Sequence, residues 1–247
     1  MTVLQSIILG LVQGLTEFLP VSSSGHLLLT SQAMGVTPSL SLELAYHVAT
    51  LAAVCVYYRK TLFALIRKPF QPLTAKLFVS TLITAAIAFF MRPIAESMQD
   101  GRLLPLFFTL TAVLLVLSDK FHLKKPDGRL TCVVVGIAQG FAVIPGLSRS
   151  GATVSAAVFT GESRKSAVDY SFLLSLPIIA GSAVVELISS PLDNLSPLPL
   201  AAGLIAAFFS GLTALFVMTR LSKKLPSSLF AAYLIALSAL ILGLRCA

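Results

Sequence analysis

The chain has 247 residues, 56% of them hydrophobic and only 11% charged, with a mean hydropathy of +0.92. A soluble fold of this size cannot hide so much apolar surface, which places the chain in a bilayer. The net charge of +8 does not signal nucleic acid, because the basic residues fall in short clusters between apolar runs and form no stripe with interleaved aromatics.

The N-terminal apolar run lacks a basic n-region and a small-residue cleavage site, so it reads as part of the mature fold. A membrane-spanning helix needs about 20 mostly apolar residues. Runs of about that length occur at about 42 to 58, 74 to 92, 103 to 119, 166 to 188, 198 to 219 and 228 to 245, which predicts six spans. The regions at about 2 to 33 and 129 to 161 differ. Each has two apolar halves broken by a Pro/Ser/Gly elbow, and each half is too short to cross alone. Such broken segments fit re-entrant hairpins, tolerated at membrane depth only when buried in protein or lining a wet cavity. Cys55, Cys132 and Cys246 are isolated, with neither CxxC nor Cys/His spacing, and read as small apolar filler rather than as a disulfide framework or zinc site.

Loop charge sets the orientation. Segments 59 to 76, 120 to 129, 164 to 165 and 220 to 224 hold 14 of the 18 basic residues. All four fall on one side if the two hairpins do not cross, and that side is predicted to be cytoplasmic. His122, in one of these segments, reads as solvated, and Glu186 near the outer end of its span as interfacial.

The two elbow regions carry one pattern twice. Gly10, Gln13, Gly14, Ser22, Ser24 and Gly25 recur 126 positions later as Gly136, Gln139, Gly140, Ser148, Ser150 and Gly151, and each copy contains a proline, Pro20 or Pro145. The expected fold is therefore an all-α polytopic membrane protein, a single domain over 1 to 247 built from two repeats, about 1 to 126 and 127 to 247. One hairpin and three spans per repeat make an odd number of crossings. The second copy is then inverted, and the two elbows approach each other inside the membrane.

In the first elbow Gln13 and Glu17 lie at i and i+4, sharing a helical face, and Ser22, Ser23 and Ser24 can cap the half-helix that follows. His26 comes next. In the second, Ser148, Arg149, Ser150, Gly151 and Thr153 build a similar turn with a guanidinium where the first has a carboxylate. Hydroxyls, close-approach glycines and an arginine at a half-helix N-terminus form an anion site that favours phosphate. Glu17 adds a hard oxygen ligand for a divalent metal, and His26 an acid/base or nucleophile near neutral pH. Plainer readings stand beside these: Glu17 pairing structurally with Arg149, the Ser/Gly run serving helix contacts, and His26 as a satisfied core histidine. Glu43 and Asp169 also match at the 126 offset, as symmetry-related supports or, for Glu43 with His47, groups at the site's edge.

The first elbow, with Gln13, Glu17, Pro20, Ser22, Ser23, Gly25 and His26, resembles the (E/Q)xxxE and PxSSxGH motif of the undecaprenyl-diphosphate phosphatases of the bacitracin-resistance type. The second is similar to their PGxSRSGxT motif through Pro145, Gly146, Ser148, Arg149, Ser150, Gly151 and Thr153. Many members carry Glu where this chain has Gln13, and a neutral amide adds no second negative metal ligand.

The resemblance implies hydrolysis of a polyprenyl diphosphate to the monophosphate and inorganic phosphate, recycling the lipid carrier for cell-wall synthesis. It also implies dependence on a divalent cation, Mg²⁺ or Ca²⁺, a site toward the outer face of the cell membrane, and assembly that is often a homodimer. Arg149, Ser148, Ser150, Gly151 and Thr153, with Ser22, Ser24 and Gly25, would bind the diphosphate. Glu17, with Gln13, would handle metal, and Ser23 or His26 would attack or move the proton. Inverted repeats around broken helices also suit a transporter or flippase of an anionic lipid. Carriage alone needs the arginine and N–H groups but not a metal-binding carboxylate beside a nucleophile.

Overall fold

The computed structural model describes residues 1–37, 39–189 and 196–246, and all regular structure among them is helical. The order is α1 (Val3–Phe18), α2 (Ser23–Ala33), α3 (Leu40–Tyr57), α4 (Arg59–Arg67), α5 (Pro72–Ser97), α6 (Leu104–Lys120), α7 (Gly128–Phe141), α8 (Arg149–Phe159), α9 (Arg164–Ser189), α10 (Pro197–Leu221) and α11 (Ser227–Cys246).

Side-chain caps start several of these helices. Thr2 and Gln5 form a reciprocal capping box at α1, and the Asp127 carboxylate accepts from the Arg129 and Leu130 N–H groups at α7. At the elbows Ser22 Oγ accepts from Gly25 N (3.4 Å) and Ser148 Oγ from Gly151 N (3.0 Å). The helices that follow, α2 and α8, are 11 residues each and begin 126 positions apart. The duplicated pattern thus yields duplicated short helices.

Four described helices, α5, α9, α10 and α11, are long and apolar enough to cross a membrane. The run expected as a span at 42 to 58 is part of a bent pair, with α3 and α4 meeting at 76°. The run at 103 to 119 becomes α6, 17 residues long. Segment 59 to 76, read from sequence as a charged loop, is largely helical: Leu62, Phe63 and Ile66 recur at helical spacing and give α4 an apolar side between its flanking basic residues.

Each hairpin's first arm packs on a helix from the other half of the chain, α1 on α10 and α7 on α5. Small residues permit this approach, since a Cβ on Gly14 would meet Ser210 Oγ at 2.0 Å. Phe18, Val54, Phe172 and Leu215 form a core beneath the first elbow.

The basic segments gather at one end. Lys76 pairs with Glu162 (3.1 Å), while Arg164 pairs with Asp119 and donates to the Leu225 carbonyl (2.6 Å). His122 is exposed there, as expected. Cys55 and Cys132 are free thiols. The Glu186 side chain and loop residues 190–195 lie outside the described residues.

Candidate active site

The two elbows meet. A Cβ on Gly25 would come within 3.4 Å of Gly146 Cα, and Ser150 Oγ donates across the junction to the Leu19 carbonyl (2.8 Å). Beside this contact lies a cavity of about 370 Å³ whose lining includes Glu17, Ser22, Ser23, Ser24, Glu43, His47, Gln139, Arg149 and Ser182.

Glu17 is its organising group. It sits on the last turn of α1 and is buried, 6% exposed. Its Oε1 accepts from Arg149 Nη2, the ion pair that joins the first elbow to the second. Its Oε2 accepts from Ser23 Oγ (2.6 Å) and from Gln13 Nε2 (3.0 Å), and His47 Nε2 stands 3.5 Å away. A buried carboxylate is tolerable only when its charge is paired and its oxygens are hydrogen-bonded, and both conditions hold here. Arg149 also donates to the Ser171 carbonyl (3.5 Å), and His47 Nδ1 donates to the Glu43 carbonyl (2.9 Å).

A family model described as bacitracin resistance protein BacA matches residues 6–240. The chain belongs to this family. It is 39% identical to the undecaprenyl-diphosphatase of Treponema denticola, an alignment covering 96% of this chain and 95% of that protein. Against the undecaprenyl-diphosphatases of Thermosipho melanesiensis and Carboxydothermus hydrogenoformans the identities are 38% and 36%. Those alignments cover 94% and 98% of this chain and 95% and 97% of the relatives. Apolar helices in a chain of this family make it a multi-pass membrane protein.

Of the residues expected at the site of this BacA-family chain, Glu17, Ser22, Ser23, Ser24 and Arg149 line one cavity. The others lie outside this lining, most of them with their polar groups engaged elsewhere, while the buried Gln13 Oε1 has no partner among the described residues. Ser148 Oγ caps α8, Ser150 Oγ bonds to Leu19, and Thr153 Oγ1 bonds to Ser171 Oγ (2.6 Å). Gly151 N is held by the Ser148 cap, and Gly25 packs on the Phe108 ring. Ser148, Ser150, Gly151, Thr153 and Gly25 build the elbows and are not among the residues lining this cavity.

His26 also departs from the expectation. It is absent from the cavity lining, and both its ring nitrogens are engaged, with the Ser22 carbonyl (2.7 Å) and the Tyr233 hydroxyl (2.6 Å). Gln13 is fully buried behind Glu17 as a hydrogen-bond donor. Glu43 and His47 line the cavity, whereas Asp169 pairs with Tyr58 (2.7 Å) and Lys165 (3.3 Å). The match at the 126 offset does not bring Glu43 and Asp169 into one site. Gln139, known from sequence only as a repeated position, and Ser182 were not expected at the site. Gln139's signal was its correspondence to Gln13, and Ser182 carried none.

No three His, Cys, Asp or Glu side chains converge as a metal cage among the described residues. Mg²⁺, however, commonly binds through one or two carboxylates together with substrate phosphate oxygens and water. Glu17 and Glu43, both in the lining, are donors of that kind, so the residues fit a cation that arrives with a phosphate ligand.

Proposed function

We propose that this chain hydrolyses undecaprenyl diphosphate to the monophosphate and inorganic phosphate in the Glu17–Arg149 cavity. The observation that carries the reading is the hydrogen bond from Ser23 Oγ to a carboxylate whose other oxygen is held by Arg149. A hydroxyl becomes a useful nucleophile when an adjacent base takes its proton and a third group orients that base. Here Glu17 is the base, and Arg149 with Gln13 orients it.

Arg149 and the N–H groups at the start of α2 hold the diphosphate, since planar guanidinium and half-helix N-termini both suit phosphate oxygens. Ser23 Oγ attacks the terminal phosphorus as Glu17 accepts its proton, and the bond to the bridging oxygen breaks. Polyprenyl monophosphate leaves. Water then cleaves the Ser23 phosphoester, releasing inorganic phosphate. Charge developing on the phosphate oxygens is stabilised by the preorganised guanidinium in a partly dry site. A divalent cation held by Glu17 and Glu43 would neutralise further phosphate charge when bound.

The finer architecture belongs to this reading: six spans and two oppositely inserted re-entrant hairpins, a homodimer in the plasma membrane, and a cavity toward the outer face. It is supported by the reciprocal arrangement of α1 on α10 and α7 on α5 and by the basic segments gathered at one end. The prenyl tail stays in lipid while the head group enters between the elbows. Transport of an anionic lipid without hydrolysis leaves the Ser23–Glu17 bond unexplained, which favours the enzyme. Phosphate release from a polyprenyl diphosphate by the purified protein in detergent tests the reading, and absence of release with added Mg²⁺ and Ca²⁺ would refute it.

A further inference from the structure

His26 is held from two sides. Its Nδ1 faces the Ser22 carbonyl at 2.7 Å and its Nε2 faces the Tyr233 hydroxyl at 2.6 Å. The ring stacks on Tyr233, with centroids 5.7 Å apart and planes 15° off parallel, and leans on Phe108. A carbonyl oxygen only accepts, so Nδ1 carries a proton. In the neutral ring Nε2 is then an acceptor, and Tyr233 donates to it.

What His26 holds is unusual. Ser22 has φ 71 and ψ 100, and no other non-glycine among the described residues has a positive φ. A side-chain-bearing residue stays in such a conformation only when its surroundings impose it. The next residue is Ser23, whose hydroxyl meets Glu17, so the strained peptide aims the attacking group. The second elbow needs no such brace: its positive φ, 91°, falls on Gly146, and the positions equivalent to His26 and Tyr233 are Ala152 and Phe107, which cannot form the contact.

We infer that Tyr233, on α11 and 207 positions from His26, is a positioning residue for the phosphatase. It orders the His26 ring, which in turn holds the Ser22 carbonyl and so keeps Ser23 Oγ on Glu17. The inference rests on the function proposed above and recasts His26 as a brace, not a proton carrier.

The test is steady-state phosphate release from farnesyl diphosphate by the full chain in detergent, with thermal unfolding of every variant. Tyr233→Phe should lower kcat by about 10- to 100-fold, the usual effect of removing a group that orients an active side chain, and leave KM nearly unchanged because Arg149 is untouched. His26→Asn keeps an N–H near the Nδ1 position and should retain far more activity than His26→Ala. Tyr233→Phe should have no further effect in the His26→Ala background. In ¹⁵N spectra His26 should show a protonated Nδ1 and a hydrogen-bonded, unprotonated Nε2, with the Nε2 signal shifting in Tyr233→Phe.

Wild-type kcat in folded Tyr233→Phe, or a loss confined to KM, would overturn the inference while leaving the phosphatase standing. So would a folded His26→Asn as inactive as His26→Ala, since the ring would then be moving a proton. A wild-type protein that releases no phosphate would instead overturn the phosphatase reading, and this inference with it.

Discussion

Arg149 and Glu17 lie 132 positions apart in the chain and form an ion pair where the second elbow touches the first. Both side chains are largely buried, 16% and 5% exposed, so each is the other's main compensation for leaving water. The pair joins the two hairpins and places a guanidinium and a carboxylate side by side in the wall of one cavity.

Arg149→Met should therefore abolish turnover and cost about 3–5 kcal/mol by leaving Glu17 buried and uncompensated. The double variant Glu17→Gln/Arg149→Met should regain much of that stability but no activity. Thermal unfolding alongside phosphate release checks both, and a double variant no more stable than Arg149→Met would argue against direct pairing.

Ser23→Ala should reduce turnover by at least about 10⁴-fold, as expected for loss of a nucleophile. With terminally ³²P-labelled substrate and rapid acid quench, label should remain on the wild-type chain at Ser23 and be missing from Ser23→Ala. Label recovered on another residue would exclude Ser23 as the attacking group.

Chelation with EDTA should stop turnover, and Mg²⁺ or Ca²⁺ should restore it. Gln13→Glu sharpens this test. The change replaces a donor to Glu17 Oε2 with a second carboxylate. In EDTA the variant should lose about 3–5 kcal/mol of stability, the cost of a buried carboxylate without a compensating partner. It should regain more on adding cation than the wild type does, because a ligand that binds only the folded state stabilises it. Equal melting shifts for the two proteins would exclude a cation beside position 13.

A Cβ at Gly25 would sit 2.6 Å from the Phe108 ring, too close for any real contact. Gly25→Ala should cost about 1–3 kcal/mol through overpacking and should lower activity by prising the first elbow away from α6. Phe108→Leu in the same chain should recover part of both. Failure of that second change to help would mean the glycine serves something other than room for the ring.

Local features were well read from sequence. The duplicated pattern gave two hairpins with 11-residue second arms, and Ser22 and Ser148 do cap them. The plainer readings proved partly right as well: Glu17 does pair with Arg149, and His26 is satisfied. Less legible were the length and continuity of the apolar helices. Hydropathy measures apolar content but does not register a bend such as the one at Tyr58 between α3 and α4.

Composition and the repeated elbows determined by themselves that this is a helical membrane protein with two polar, broken segments built on one pattern. Periodicity and capping act within a few residues, so they can be read along the chain. Only the tertiary structure decided that Ser23 faces Glu17, that His26 turns to Tyr233, and that the second elbow's hydroxyls cap its own helix or bond to Leu19 and Ser171. Those choices depend on which distant helices pack together. A hydroxyl or imidazole takes whichever partner that packing brings within hydrogen-bond reach, and no local spacing records which one it will be.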